Sequence, residues 1–187
     1  MKLNMYVLYG GRSIEHEVSV ISATSVFNAI NKEKYNVYPI FITKEGKWCS
    51  YGKLETNIEN SDDLILDTEL SVTESLGEFI KSIDYNSNNM VFPVLHGNNG
   101  EDGTVQGLLE LIDIPYIGNE VLSSALCMDK VATSDVLRAH SIPQAKYTSV
   151  YKFKWDDNKE NVLDEVLNEL ELPVFVKPAN SGSSVGI

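Results

Sequence analysis

The segment Leu172-Pro-Val-Phe-Val-Lys-Pro-Ala-Asn-Ser-Gly-Ser-Ser-Val-Gly186 joins a short apolar run to a loop of small residues. Val174-Phe-Val176 is β-branched and aromatic, which predicts a buried strand, and Pro178 ends that strand because proline has no backbone N–H for a ladder. The loop from Asn180 to Gly186 holds two glycines and three serines. Its backbone N–H groups and hydroxyls can surround an anion. With Lys177 just before it, the loop favours a phosphate site over a plain surface turn. It does not match the P-loop pattern, because no Gly-Lys-Ser/Thr follows its glycines.

The composition limits the classes of function. The 187-residue chain has 27 acidic and 15 basic residues and a net charge of −12. That charge argues against a nucleic-acid or anionic-membrane partner, and no apolar run reaches the length of a membrane span. An apolar fraction of 43% predicts a packed core. Cys49 and Cys127 lie far apart in unlike contexts, which favours a reduced, cytoplasmic chain over a disulfide framework.

The first part of the chain alternates strands with helices, which predicts a doubly wound α/β domain with a mostly parallel sheet. Asn4–Tyr9 is an apolar strand that runs into Gly10-Gly11. An amphipathic helix follows, with Ser13 as its predicted N-cap. Two further buried strands are predicted at Tyr35–Thr43 and Met90–Leu95.

Two candidate site residues follow strands of this sheet. Ligands of open parallel sheets bind beyond the carboxyl ends of the strands. Glu15 lies past the first strand, where an acid could bind an ammonium group or simply stabilise the helix start by about 0.3–1 kcal/mol. His96 lies between the strand ending at Leu95 and the glycine-rich residues 97–103, either as a site residue or as a satisfied core histidine. Thr104 is predicted to cap the next helix.

The second part of the chain predicts the start of another domain. We place the two domains at residues 1–122 and 123–187. Ala145–Val150 is predicted to be a strand, and a helix with its apolar residues between Val162 and Leu170 precedes the strand of the opening segment. Because Gly186-Ile187 ends the chain where a return strand should begin, we expect a truncated chain.

Five motifs of the chain resemble those of the D-alanine–D-alanine ligases, which are ATP-grasp enzymes, and they occur in the same order. They are Tyr9-Gly-Gly-Arg-Ser-Ile-Glu-His-Glu-Val-Ser19, Leu95-His-Gly-Asn-Asn-Gly-Glu-Asp-Gly-Thr-Val-Gln-Gly107, Pro115-Tyr-Ile-Gly118, Met128-Asp-Lys130 and Lys177–Gly186. The resemblance implies an N-terminal ligase domain followed by the incomplete beginning of an ATP-grasp α+β domain. It also implies that ATP phosphorylates one D-alanine and that a second D-alanine attacks the acyl phosphate, which yields a peptidoglycan precursor.

The resemblance implies roles for single residues. Glu15 would hold the ammonium group of the first D-alanine, Val18 would face its methyl group, and His96 would lie near its carboxylate. Ser183 would orient this substrate and form a hydrogen bond towards Glu15, which makes these two the implied catalytic residues. The residues that would hold or cover ATP are Lys130, Lys177, Ser183, Ser184, Val185 and Gly186.

The resemblance also implies what the chain lacks. The Mg²⁺ ligands, the adenine-binding strand and a loop with a substrate-side tyrosine would lie downstream of Ile187, so we expect no metal site here and no activity from this piece alone. A cytosolic homodimer built through the first domain is implied as well. Two alternatives stay open, namely a D-alanyl-D-lactate or D-alanyl-D-serine ligase of the same family, and a non-catalytic nucleotide- or amino-acid-binding module.

Overall fold

The chain divides into two units, Met1–Ala125 and Leu126–Ile187. The computed structural model describes residues 2–184 and 186–187, so Val185 lies outside the described residues. The strands are β1 (Leu3–Gly10), β2 (Tyr35–Ile42), β3 (Trp48–Ser50) and β4 (Asn89–Pro93). The helices are α1 (His16–Ala29), α2 (Val72–Ser82), α3 (Thr104–Leu111), α4 (Val121–Met128), α5 (Lys130–Ala139), α6 (Lys152–Asp157) and α7 (Lys159–Glu169). Within this described part, none of the helices has the length and apolarity that a bilayer crossing requires.

A four-stranded sheet of order β3-β2-β1-β4 forms the centre of the first unit. β1 pairs in parallel with both β2 and β4, and β3 runs antiparallel to β2 at one edge. Every residue of β1 from Met5 to Gly10 is buried, as expected for a parallel strand covered on both faces. The structure confirms the predicted doubly wound α/β architecture and its three main strands, each within two residues of the predicted bounds.

Helices cover the two faces of the sheet because successive side chains of a strand point to opposite sides. On one face α1 packs against β1, in a cluster that includes Val7, Tyr9, Val20, Ala23 and Phe27. On the other face α2 and α3 pack against the same strand, in a cluster that includes Tyr6, Leu8, Phe79, Val105 and Leu109. Full burial of an apolar side chain of this size stabilises the fold by about 1.5–3 kcal/mol, so α1 is held firmly on the sheet.

Both predicted helix caps in the first unit are wrong by one or two residues. Helix α1 has Glu15 as its N-cap, while the Ser13 hydroxyl accepts a hydrogen bond from the Glu15 N–H at 3.0 Å. Helix α3 has Gly103 as its N-cap, with a left-handed φ of 90°. Thr104 is the first helical residue, and the Asp102 carboxylate accepts a hydrogen bond from its N–H at 3.0 Å. At α1, Ser13 still accepts a bond from a free N–H group but from outside the helix; at α3 the Asp102 carboxylate accepts such a bond, which leaves Thr104 as the first helical residue.

Two strands predicted in the second unit are wrong. Neither Ala145–Val150 nor Val174–Val176 forms a strand, and Phe175 and Val176 are 82% and 77% exposed. A strand without a neighbour leaves its N–H and C=O groups without ladder partners, and all the strands that the structure describes lie in the first unit. The predicted helix over Val162–Leu170 is confirmed as α7, with Val162 buried.

Gly77 offers a test of the packing around α2. It lies in the interior of a helix whose start carries a complete capping box of Ser71 and Glu74. A Cβ added at Gly77 would meet no atom within 4 Å. Since glycine in a helix interior costs roughly 0.5–1 kcal/mol relative to alanine, we expect Gly77→Ala to raise the free energy of unfolding by about that amount. Urea denaturation measures the change, and a decrease in stability would contradict the open surroundings of this position.

Candidate functional site

A tight glycine turn leads from β1 to α1. Gly10 and Gly11 have left-handed φ values of 84° and 94°, and a Cβ at Gly10 would lie 2.4 Å from the carbonyl oxygen of Ile42. The N–H of Gly11 donates to that same oxygen at 2.7 Å. The close approach therefore requires glycine at position 10, and the turn places half-buried Glu15 at the N-cap of α1. There the positive end of the helix dipole favours its negative charge.

Gly97 brings the loop after β4 against Glu15. A Cβ on Gly97, whose φ is 68°, would come within 2.8 Å of both Glu15 Oε2 and Ser13 Oγ. The Glu15 carboxylate thus lies against the backbone of the residue that follows His96. Because β1 and β4 are parallel neighbours, their carboxyl ends meet at one edge, and the structure gathers the Glu15 and His96 segments there.

One face of α1 lines this edge. Glu15, Val18 and Ser22 are spaced i, i+3 and i+7, which puts them on the same side of the helix. Val18 is 52% exposed, so its side chain is accessible beside the Glu15 position. The Ser22 hydroxyl lies 3.1 Å from Nε2 of His96, which ties the helix to the loop after β4.

Two carboxylates close the loop between His96 and α3. Glu101 accepts a hydrogen bond from the Gly97 N–H at 2.7 Å. Asp102 accepts hydrogen bonds from the N–H groups of Asn99 at 2.8 Å and Thr104 at 3.0 Å. Burial raises the pKa of Asp102, but these hydrogen bonds outweigh it, and the pKa is lowered overall. The loop is therefore shaped by its own acids, which bond to backbone and hold Gly97 in place.

Two buried polar residues on α1 position the site, and the sequence pattern does not predict them. The His16 ring nitrogen Nδ1 lies 2.7 Å from the carbonyl oxygen of Gly11. The Ser19 hydroxyl accepts a hydrogen bond from the Gly10 N–H at 2.9 Å and donates one to the carbonyl oxygen of Val94. These bonds fasten α1 to the ends of β1 and β4. The sequence signal that could have identified them is a polar residue within the buried stripe of an amphipathic helix, because such a side chain must find a hydrogen-bond partner.

Lys130 contacts the glycine-serine loop within the second unit. Its backbone N–H donates to the carbonyl oxygen of Ala179 at 3.0 Å, and its Nζ donates to the carbonyl oxygens of Ala179, at 3.4 Å, and Ser181. Lys177, at the start of this loop, has its Nζ 5.9 Å from the ring centroid of Phe175, a cation–π contact. The structure thus brings one of the two predicted phosphate-binding lysines onto the loop and places the other at its base.

Three residues of the glycine-serine loop share an unusual backbone conformation. Ser183, Ser184 and Gly186 have left-handed φ values of 49°, 59° and 77°. A Cβ at Gly186 would lie 2.8 Å from Cγ of Pro178, so the loop folds back on its own start. The hydrogen bond predicted from Ser183 towards Glu15 would join residues of the two units, and it stays a prediction.

A metal ion in a protein is held by a set of ligand side chains. Within residues 2–184 and 186–187, no group of three or more His, Cys, Asp or Glu side chains could hold a metal ion. These residues therefore do not provide a fit for Mg²⁺.

Two family models match the chain. The model described as "D-ala D-ala ligase N-terminus" matches residues 4–119, and the one described as "D-ala D-ala ligase C-terminus" matches residues 136–187. A D-alanine–D-alanine ligase of Finegoldia magna is 46% identical over 187 residues, which cover 100% of this chain and 52% of the relative. The chain thus spans about half the length of the curated relatives it matches.

Solved structures show the same likeness. The D-alanine–D-alanine ligase from Coxiella burnetii is 35% identical, with a TM-score of 0.72, and the match covers 98% of this chain and 53% of that one. The VanG D-Ala:D-Ser ligase from Enterococcus faecalis is 32% identical, also with a TM-score of 0.72, over 98% of this chain and 54% of that one.

Proposed function

Because the chain belongs to the D-alanine–D-alanine ligase family, we propose that it is the N-terminal portion of an ATP-dependent ligase that joins two D-alanine molecules. The γ-phosphoryl group of ATP is transferred to the carboxylate of the first D-alanine. The amine of the second D-alanine then attacks this acyl phosphate, a C–N bond forms, and phosphate leaves. The product, D-alanyl-D-alanine, serves peptidoglycan synthesis. The observation that carries the proposal is the Glu15 carboxylate lying against Gly97, beside His96, at the carboxyl ends of β1 and β4.

In the first unit, the proposed role of the α1 edge is to bind the first D-alanine. Glu15 forms a charge-assisted hydrogen bond with the substrate ammonium group, which is roughly twice as strong as a neutral one. Val18 contacts the methyl group, and its partial exposure supports that role. His96 lies near the substrate carboxylate. Fixing this substrate in one orientation makes the later attack effectively unimolecular, and such positioning is a large part of catalysis in ligation.

In the second unit, the proposed role of the glycine-serine loop is to hold ATP. Lys130 and Lys177 bind the phosphates, because cations aimed at a transferring phosphoryl group stabilise its charge. The contact of Lys130 with the loop carbonyls supports a shared site for the lysine and the loop. Ser183 orients the first D-alanine towards Glu15, and the residues that cover the nucleotide are Ser183, Ser184, Val185 and Gly186.

The proposal extends to the domains, the metal and the assembly of the full-length ligase. Residues 1–122 form the N-terminal ligase domain, and residues 123–187 begin the ATP-grasp domain. Mg²⁺ is bound by residues of the full-length ligase outside this chain, so residues 1–187 alone do not release phosphate from ATP and D-alanine. The enzyme is cytoplasmic and forms a homodimer through its first domain.

The identity of the second substrate distinguishes the candidate ligases and requires an experiment. The likeness to VanG keeps a D-alanyl-D-serine ligase as the competing candidate, while the Finegoldia magna relative favours D-alanine. We expect phosphate release by the full-length enzyme with ATP, Mg²⁺ and D-alanine alone, and at least about a tenfold preference in kcat/KM for D-alanine over D-serine or D-lactate as the attacking substrate. A preference for D-serine or D-lactate would reassign the substrate. Ligand binding without phosphate release would favour a non-catalytic binding module.

A further inference from the structure

The hydrogen bond between Ser22 and His96 lies inside the proposed D-alanine site without an assigned role. Nε2 of His96 is 3.1 Å from the Ser22 hydroxyl, and the two residues are 74 positions apart in the chain. Ser22 is half-buried on the face of α1 that carries Glu15 and Val18. The bond therefore links a helix position near the site to the orientation of an imidazole ring within it.

The direction of this hydrogen bond follows from the other groups near Ser22. A helical hydroxyl often donates to the carbonyl four residues earlier, as Thr24 does to Val20 at 3.1 Å. In the part of the chain that the structure describes, the Ser22 hydroxyl has no such bond, and His96 Nε2 is its one hydrogen-bond partner. A hydroxyl and an imidazole nitrogen can each donate or accept in such a pair; because Nε2 is the one acceptor that the described residues offer to the hydroxyl proton, the favoured arrangement has the Ser22 hydroxyl donating to the Nε2 lone pair. A neutral imidazole that accepts at Nε2 carries its own proton on Nδ1.

The contacts of α1 with the sheet support the hydrogen bond between Ser22 and His96. Ser19, one turn earlier, is fully buried and bonded both to the Gly10 N–H and to the carbonyl oxygen of Val94. Val94 lies two residues before His96, so the same helix is tied to the base of the loop that carries the ring. The Ser22 hydroxyl thus approaches Nε2 from a helix that is bonded to the ends of both β1 and β4.

We propose that Ser22 is a positioning residue that fixes His96 as the Nδ1–H tautomer and thereby turns the ring into a hydrogen-bond donor for a carboxylate. Nδ1 makes no hydrogen bond to any of residues 2–184 and 186–187. A carboxylate is only an acceptor, so it needs the proton on the nitrogen that faces it. The identification of that carboxylate as the one on the first D-alanine rests on the proposed function; the tautomer does not.

Nitrogen-15 NMR of the imidazole groups in the 187-residue chain tests the tautomer directly, at a pH where the ring is neutral. The chain has three histidines, and His96→Gln assigns the signals of interest. We expect wild-type His96 to carry its proton on Nδ1, Ser22→Ala to move a large share of it to Nε2, and Ser22→Thr to retain the wild-type tautomer because it keeps the hydroxyl. Ser25→Ala is the matched control, since Ser25 is an exposed serine of α1 whose side chain makes no hydrogen bond within the described residues.

Kinetics of the full-length enzyme test the positioning role. We expect Ser22→Ala to raise the KM for the first D-alanine about fivefold while kcat stays within about twofold, because one hydrogen bond in binding is weakened. Ser22→Thr should restore most of this loss, and Ser25→Ala should have no effect. An Nε2–H tautomer in the wild-type chain, an unchanged tautomer in Ser22→Ala, or an unchanged KM despite a changed tautomer would each overturn the proposal. Absence of ligase activity in the wild-type enzyme would refute the proposed function alone, since the NMR result still decides the tautomer.

Discussion

Replacing Glu15 by glutamine is expected to lower kcat/KM of the full-length ligase for D-alanine by about 100- to 1000-fold. Glutamine keeps the shape of the side chain but removes the negative charge that would pair with the substrate ammonium group. Loss of one partner from a close, hydrogen-bonded charge pair costs about 2–5 kcal/mol, and the N-cap position of Glu15 gives the charge a fixed place beside Gly97. Initial rates of phosphate release over a range of D-alanine concentrations measure the effect.

Glu17→Gln provides the matched control on the same helix. Glu17 is exposed and forms an ion pair with Lys44 on the outside of the unit, and the hydrogen bond from Lys44 lowers the pKa of Glu17. Exposed pairs of this kind contribute little to stability, and residues two positions apart on a helix point to different faces, so Glu17 lies away from the Glu15 side of α1. We expect its activity to stay within about twofold of wild type. Equal losses in both variants, or wild-type activity for Glu15→Gln, would contradict a substrate role for Glu15.

The first unit is predictable from sequence because its main strands are largely apolar runs; β1 ends at Gly10, and β4 is followed four residues later by Gly97. Such runs need both faces covered, and the helices predicted between them supply the cover, so β1, β2 and β4 follow from local pattern. The second unit is not predictable in this way. The residues 174–176 have the composition of a strand, but pairing depends on a neighbour, and no local pattern reveals whether one is present.

The site is predictable in part for a similar reason. The rule that ligands bind beyond the carboxyl ends of parallel strands is enough to bring the Glu15 and His96 segments to one edge. It does not predict the side chains that hold them, because the bonds from Ser19 to Val94 and from Ser22 to His96 join residues 75 and 74 positions apart. The contact of Lys130 with the later loop likewise follows from family resemblance and not from spacing.

Gly10→Ala is expected to destabilise the first unit by about 3–4 kcal/mol. Part of this loss, about 1 kcal/mol, comes from placing a side chain at a φ of 84°. The larger part is steric, because the new Cβ would lie 2.4 Å from the carbonyl oxygen of Ile42, which is backbone of the central sheet and cannot move aside cheaply. Urea denaturation gives the change in the free energy of unfolding.

Gly52→Ala separates the two contributions to that loss. Gly52 has nearly the same φ, 87°, but a Cβ there would meet no atom within 4 Å, so only the conformational cost of about 1 kcal/mol should appear. The excess in Gly10→Ala then measures the close approach between the turn and β2. Equal losses in the two variants would show that the turn is not tightly packed. Gly10 also donates its N–H to Ser19 and begins the turn that leads to Glu15. We therefore expect Gly10→Ala to reduce D-alanine binding by the folded fraction of the full-length enzyme as well as its stability. Gly52→Ala should leave D-alanine binding unchanged.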